Sequence, residues 1–444
     1  MKTKHMIPLV VSALFCVALS VAVVGKLAAP KEEVEEVINV VPQQNNEKSI
    51  VTTFPANNQV VDILKPNVIK YINAMHEQAK AIENDYVLHS FYAYADSDGE
   101  NLNKEYSNET DVVRIADYAK TKLESRSKSV SLVFDSEGFE KGTTFVVKVG
   151  LQPDLSDAIS IETTETFATI DNLLSGTKYY WQVSQESVTS EISSFTTRDG
   201  FRMIRADGIQ NIRDMGGRSV YGGKHIKQGL IFRGGELVEA NYIAGGSTHY
   251  KTLNDENKKI LRDELQIKYE IDFRGDEESN NLVNSALYDE DNYSDIKYQR
   301  IPNMSAYDYV IVQDHDYWPS IKEMFEHFIN AENEHVYFHC WGGADRTGTA
   351  GFLLGAVLGM SLTDLIVDYE LTSFAGNYRP HNQNDGKHVY RFPQLMYQLM
   401  EGESFAPYRG EGKLLRDVVT DFLQAKTGLT DEQIVQLRTN LLED

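Results

Sequence analysis

The sequence predicts a multidomain chain in which an N-terminal β-sandwich is followed by an α/β domain with a central sheet flanked by helices. Three observations carry that expectation. At 444 residues the chain has room for two or three folded units of about 150 residues each. Between about residues 111 and 197, apolar side chains alternate with polar ones in short runs broken by turn residues. After Gly200, short apolar runs alternate with stretches of helical periodicity.

Composition narrows the classes further. Acidic residues number 66 against 43 basic ones, giving a formal charge of −23, and 41% of residues are apolar. That balance excludes collagenous, mucin-like and wholly disordered chains. No run of Lys and Arg is present to hold a phosphate backbone, so no nucleic-acid partner is expected. Any anion the protein binds must be met by a local site. Only two cysteines occur, Cys16 in an apolar leader and Cys340 deep in the chain. Removal of the leader would leave Cys340 as the one thiol, either an inert buried group or a nucleophile.

Residues 1–30 read as a signal peptide or membrane anchor. Lys2, Lys4 and His5 precede an apolar run over 6–24, and Gly25, Ala28 and Ala29 follow it. A secreted or cell-surface location is expected, with residues 6–24 as the anchor if the leader is retained. Ala13, Leu14 and Phe15 precede Cys16, unlike the small residues of a lipid-attachment box, so no lipid is expected there. Residues 31–60 are acidic and then rich in Asn, Gln, Thr and Pro, the composition of a flexible linker.

Residues 61–110 are expected to be helical or irregular. Ile69, Ile72, Met75, Ala79 and Ile82 recur at spacings of three and four, predicting an amphipathic helix over 66–82. The Asp- and Asn-rich stretch 94–109 lacks the twelfth-position Glu of a calcium loop and reads as a solvated loop. The sandwich is placed at 111–198, with inward triplets Val130/Leu132/Phe134, Phe145/Val147/Val149 and Tyr179/Trp181/Val183. The run from Leu174 through Thr177, Tyr179 and Trp181 to Val183 resembles the strand of fibronectin type III domains that carries Leu, Thr, Tyr and Val. This resemblance implies a fibronectin type III-like module that spaces or docks its neighbour, with its aromatic residues in the core.

The last domain is placed at 200–444. Strands are expected at 229–232, 268–273 and 335–338. Helices are expected at 255–265, from Pro319 onward, and at 347–358, 363–371 and 412–426, with a last one opening at Thr430, where Gln433 completes a capping box. The polar stretch 373–412, with Tyr378, Arg379, His381, Lys387, His388 and Arg391, reads as a lid, a substrate rim or a plain surface excursion.

The chemistry concentrates where an apolar strand runs into His339-Cys340-Trp341-Gly342-Gly343-Ala344-Asp345-Arg346-Thr347-Gly348 and then into a helix rich in Gly, Ala and Leu. A strand-to-helix turn with glycines directs consecutive backbone N–H groups into one concavity, and the helix N-terminus adds its positive dipole end. Arg346, six positions after Cys340, can curl round to grip two oxygens of a phosphate. In that field Cys340 favours the thiolate and becomes a nucleophile.

This constellation resembles the signature of the cysteine-dependent tyrosine phosphatases. Asn211-Ile-Arg213-Asp214-Met-Gly216-Gly217, Phe232-Arg233 and Asp272-Phe-Arg274 resemble further landmarks of a bacterial, atypical dual-specificity and lipid-phosphatase-like branch that includes secreted enzymes. The resemblance spans about residues 204–369. It implies Cys340 as nucleophile, Arg346 and the loop residues Trp341, Gly342, Gly343, Ala344 and Asp345 as the phosphate site, and Thr347 as stabiliser of the departing thiolate. It also implies His339 as the residue fixing the loop, Asp345 as general acid, and neither metal nor cofactor. Asp308, Asp314 and Asp316 stand as alternative acids, and Asp272 reads as a structural partner for an Arg. Arg213, Arg233 and Arg274 either line the pocket or form structural ion pairs.

Relatives that prefer phosphoinositides often carry Lys within this loop, and here it has none. A multiply charged inositol head would lack counter-charge in an acidic protein, whereas Trp341 could stack on a phenyl ring. Phosphotyrosine protein or a related phosphomonoester is therefore the expected substrate. A phosphoinositide or inositol phosphate phosphatase of the same mechanism stands as an alternative, as does a non-catalytic phosphate-binding protein. Sulfur transfer and arsenate reduction are weaker readings, because no second cysteine could resolve the intermediate.

Overall fold

The computed structural model describes residues 47–80, 84–88, 113, 115–119, 122–237, 253–276, 279, 282–301, 318–376, 399 and 402–444. The leader, most of the linker, the Asp-rich stretch 94–109, the acid candidates Asp308, Asp314 and Asp316, and most of 373–412 lie outside the described residues. Residues 47–444 form one compact unit. Among the described residues no helix is long and apolar enough to cross a membrane.

Strands β1 (Ser49–Phe54) and β2 (Gln59–Val61) come first, followed by helix α1 (Pro66–Ala79). Then come β3 (Val130–Glu137), β4 (Phe145–Gly150), β5 (Ile159–Thr163), β6 (Phe167–Ile170), β7 (Lys178–Gln185), β8 (Val188–Thr189) and β9 (Ser193–Thr197). These strands form one sheet in the order β1-β3-β6 and another in the order β2-β9-β7-β4-β5, with β8 on β7. The inward triplets of β3, β4 and β7 read from the sequence are all buried, in a core shared by both sheets.

Two expectations need correction here. Residues 49–60, assigned to the linker, supply β1 and the first two residues of β2. Ser-Ile-Val-Thr-Thr-Phe is rich in β-branched residues, and Ile50 enters the core opposite Ser136 while Val51 faces out. Helix α1 is present, but its buried face is Val68, Tyr71 and Met75. Ile69 and Ile72 are only partly buried. The spacing of Val68, Tyr71 and Met75 is equally helical, and Tyr71 wins because its hydroxyl finds a buried carboxylate, Glu370.

After Gly200 the elements are β10 (Arg213–Asp214), β11 (His225–Ile226), β12 (Ile231–Gly234), α2 (Asp255–Lys259), β13 (Tyr269–Asp272), β14 (Lys297–Arg300), α3 (Trp318–Ile329) and α4 (Ala331–Glu334). They continue with β15 (Val336–His339), α5 (Arg346–Leu358), α6 (Leu362–Glu370), α7 (Leu415–Thr427), α8 (Asp431–Leu441) and β16 (Leu442–Glu443). The central sheet runs β10-β12-β15-β13-β14, parallel except for β10. Every residue of β12, β13 and β15 is buried, as expected for parallel strands covered on both faces. Val336 and Phe338 meet the α3, α5 and α7 side, whereas Tyr337 and Phe232 pack with Leu253, Leu261 and Ile267 on the other.

Helix α5 is buried along nearly its whole length and stops at Gly359, whose φ is +97°. The capping box at Thr430 and Gln433 is formed as the sequence predicts. Arg202 ties the two-sheet unit to the central sheet, donating to the carbonyls of Leu173 and Asn172 and to Asp214 at 2.8 Å. Gln228 exchanges two hydrogen bonds with the Ser175 backbone, at 2.7 and 2.9 Å.

Candidate active site

Strand β15 lies between β12 and β13, with His339 opposite Gly234 and Asp272. Its chain leaves the sheet at the carboxyl edge, where parallel α/β sheets bind ligands. Cys340 is the first residue past that edge, 3% exposed and with a free thiol. Six positions later Arg346 opens helix α5. The sequence-predicted loop is therefore assembled at the point where strand end and helix start converge.

The surrounding frame fixes the orientation of the loop's peptide planes. The His339 carbonyl accepts from Phe273 N–H at 2.8 Å, and the Trp341 carbonyl from Glu236 N–H at 3.1 Å. Asn211 Nδ2 donates to the carbonyls of Gly342 and Gly343 at 3.3 and 2.9 Å, and Arg233 Nη2 donates to Gly343 at 3.1 Å. The Asp345 carbonyl accepts from Thr349 N–H within α5 at 2.9 Å. A peptide whose carbonyl is held outward must aim its N–H the other way. The N–H groups of Gly342, Gly343 and Ala344 donate to nothing among the described residues, as an anion cradle requires.

Gly343 has φ +65°, and a Cβ there would sit 2.2 Å from the Gly234 carbonyl oxygen, so only glycine fits this turn. Trp341 is 40% exposed rather than packed behind the loop. Arg346 is half-buried and donates from Nη1 to the Phe273 carbonyl at 2.8 Å, which brings its guanidinium back toward the sheet edge.

His339 is fully buried and bonded on both nitrogens, Nδ1 to the Cys340 carbonyl at 3.0 Å and Nε2 to Glu270 at 2.8 Å. The Cys340 carbonyl can only accept, so Nδ1 carries hydrogen, and Nε2 shares a hydrogen with the Glu270 carboxyl. Burial opposes a positive charge on the ring, but Asp272 and Glu270 outweigh it and raise the His339 pKa.

Glu270, Asp272 and His339 bring one ligand atom each within 4.8 Å of one another. These residues do not fit a metal. Asp272 is held by Arg274 and accepts from Tyr298 at 2.9 Å, and Glu270 accepts from His339 and Ser285. A cation would have to displace or face two positive side chains.

Arg213 and Arg274, expected among the phosphate ligands, are each 0% exposed and committed elsewhere. Arg274 is clamped between Asp272 and Glu236, with Nη1 2.7 Å from Glu236. Asp272 is therefore the structural Arg partner that the sequence suggests. Arg213 donates to Asp368 at 2.9 Å and to Asn211 Oδ1 at 2.6 Å. Burial makes these guanidiniums unreachable for a solvent-borne phosphate, and they hold the loop's frame instead.

Asp368 also accepts from Arg218 at 2.9 Å and from Arg233. Burial alone would raise its carboxyl, but the Arg213, Arg233 and Arg218 charges hold it well below the usual carboxylate range. Three arginines around one aspartate leave net positive charge beneath the anion cradle.

Sequence reasoning missed Asp368, Glu236 and Glu270, and assigned no role to Asn211. A signal was present for two of them. Glu270 interrupts an apolar strand, and Asp368 sits in an apolar helix, where an unpaired charge would not be tolerated. Asp345 occupies the N-cap position of α5, half-buried, and its side chain does not cap the helix.

The model of the tyrosine phosphatase family matches residues 204–443. A Cupriavidus necator protein, whose name assigns it provisionally to the tyrosine-protein phosphatases, is 24% identical over 240 residues, covering 51% of this chain and 78% of its own. The core catalytic domain of the S. cerevisiae PP-IP phosphatase SIW14, in complex with citrate, aligns at a TM-score of 0.23 and 14% identity, covering 41% of this chain and 86% of that one. The family match spans more than half of the chain and includes every residue of the loop and its frame, so this protein belongs to the tyrosine phosphatase family.

Proposed function

We propose that the protein is an exported cysteine-dependent phosphatase that hydrolyses phosphotyrosine or a related aryl phosphomonoester. The observation that carries this reading is the outward tethering of the loop carbonyls around a cysteine whose own carbonyl is held by the buried His339 ring. In the first step the Cys340 thiolate attacks phosphorus. An S–P bond forms as the ester P–O bond breaks, and Asp345 passes its proton to the departing phenolic oxygen. In the second step water attacks the cysteinyl-phosphate, its proton goes to the Asp345 carboxylate, and the thiolate leaves as inorganic phosphate forms.

Arg346 and the loop amides hold the equatorial oxygens through both steps. The Thr347 hydroxyl, 0% exposed and without a hydrogen-bond partner among the described residues, is the donor available to the leaving thiolate. Exposure of Trp341 at 40%, together with a loop lacking Lys, favours an aromatic ester over an inositol head. The sequence of residues 1–30 supports export, with 6–24 as an anchor if retained.

The two-sheet unit is read as fibronectin type III-like and docked on the catalytic core. The Tyr179 hydroxyl accepts from Leu174 N–H at 2.8 Å, five residues upstream, in the manner of a tyrosine corner.

The test is turnover of phosphotyrosine, phosphoserine, phosphoinositide and inositol polyphosphate by the chain lacking residues 1–30. Cys340→Ser is expected to lower aryl phosphate turnover by several orders of magnitude while retaining fold and phosphate binding. Orthovanadate should inhibit and chelators should not. Full activity in the serine variant overturns the mechanism, and faster turnover of the inositol substrates overturns the substrate assignment.

A further inference from the structure

The family match begins at residue 204, yet the catalytic core is completed by residues that lie far ahead of it. Val68, Tyr71 and Met75 of α1 are each 0% exposed, in the same apolar cluster as Phe338 and Cys340. The segment 84–88 lies against the starts of two catalytic-domain helices. The Asp85 carbonyl accepts from Leu362 N–H at 3.0 Å, and its carboxylate from Thr363 N–H at 3.2 Å. Two of the first N–H groups of α6 are thus satisfied from outside the helix, and Ser361 takes the next at 3.1 Å. The Tyr86 carbonyl accepts from Leu415 N–H at 2.8 Å, at the start of α7.

Helix α6 is gripped at three places by this early part of the chain. Asp85 caps its start, His76 pairs with Asp364 at 2.7 Å, and Tyr71 donates to Glu370 in its last turn. Between those last two contacts the helix presents Asp368, whose carboxylate collects Arg213, Arg218 and Arg233. Arg233 in turn holds the Gly343 carbonyl. A second route leaves the end of the same helix. Thr372 Oγ1 accepts from Asn211 Nδ2 at 3.1 Å, and that amide also holds Gly342 and Gly343.

We propose that α1 and residues 84–88 are a positioning strap for the catalytic loop: they fix helix α6, and α6 sets the loop amides through Asp368, Arg233 and the Gly343 carbonyl. The proposal rests on the phosphatase reading of that loop. Asp85, Tyr71 and Asp368 touch no substrate and are positioning residues. Displacing α6 moves Asp368, frees the Gly343 peptide to rotate, and misaims the N–H groups that receive the phosphoryl oxygens. The front of the chain is therefore part of the device that positions the loop.

The experiment is a double-mutant cycle on the full chain with phenyl phosphate, at a temperature well below every melting point. Asp85→Ala is expected to lower kcat about tenfold with KM changed less than about twofold, since a displacement of an ångström or less costs up to about a hundredfold. Asp85→Asn, which keeps an acceptor for Thr363, should restore most of the rate. Asp368→Asn is expected to lose about a hundredfold, and Asp85→Ala should have little further effect in that background, because both act on one step.

Lys148→Ala, exposed on β4 and outside the strap, serves as the unchanged control. A lower melting temperature in Asp85→Ala with unaltered kcat overturns the proposal, as does full additivity with Asp368→Asn. If the wild-type chain turns over no aryl phosphate, the phosphatase reading has failed instead. The coupling is then read on the affinity of the same proteins for inorganic phosphate by calorimetry, where equal affinities in wild type and Asp85→Ala overturn it.

Discussion

Asp345 shows how much chemistry a single side chain can be asked to supply. It precedes Arg346 and sits at the helix N-cap position, where its side chain makes no capping hydrogen bond. A general acid matters in proportion to how poorly the leaving group departs unaided. Asp345→Asn should therefore lower kcat for phenyl phosphate by about 10²–10⁴. The loss should shrink for an ester whose phenol is already acidic at the assay pH. A loss of equal size on both esters would assign the proton to another group. His339 stands in contrast, its ring 0% exposed and bonded at both nitrogens. Burial lowers its pKa, but Asp272 and Glu270 outweigh burial and raise it, and its Nδ1 holds the Cys340 carbonyl.

At the scale of elements, α6 joins structure to chemistry. Each of its acidic residues is used: Asp364 by His76, Asp368 by three arginines and Glu370 by Tyr71. Removing the charge of Asp368 leaves buried guanidiniums without their partner, a change that costs about 3–5 kcal/mol when a buried pair is broken. Because Asp368 is held below the usual carboxylate range in the folded state, its contribution is fully present above the unfolded pKa, near 4. It is lost as pH falls through the lower folded value. The stability gap between wild type and Asp368→Asn, measured by urea unfolding, should be constant between about pH 5 and 8 and close below about pH 4. A gap that widened on acidification would remove Asp368 from this role.

For the whole molecule, the boundary of the family match and the boundary of the folded core do not coincide. The match starts at 204, but Leu64, Val68, Tyr71, Met75 and Ile115 pack into the core that also contains Phe325, Phe338 and Leu423. Each large apolar side chain of that set is worth about 1.5–3 kcal/mol when buried, comparable in sum to the entire stability of a domain. A chain cut to residues 200–444 should therefore be poorly soluble or melt far below the chain from residue 47 onward. The longer chain should unfold in one calorimetric transition. A truncated protein of undiminished melting temperature would show the front of the molecule to be an independent appendage.

How much of this was legible beforehand follows from the range of each interaction. The strand, glycine turn and helix around Cys340, the capping box at Thr430, the buried triplets of β3, β4 and β7, and the alternation of strands and helices after Gly200 were all readable. Each is written in residues a few positions apart, where backbone geometry alone imposes the pattern. The buried face of α1 was not, because two helical registers satisfied the same spacing and only Glu370, some three hundred residues away, chooses between them. Residues 49–60 read as linker because strands of three to six residues declare themselves only once a partner strand is beside them.

By itself the sequence determined a strand, a turn of glycines and a helix that bring Cys340 and Arg346 into one short segment. What only the tertiary structure decided is which charges surround them. Whether an arginine meets a phosphate or an aspartate depends on long-range neighbours, and burial turned Arg213 and Arg274 into parts of the frame while making Asp368 indispensable to it.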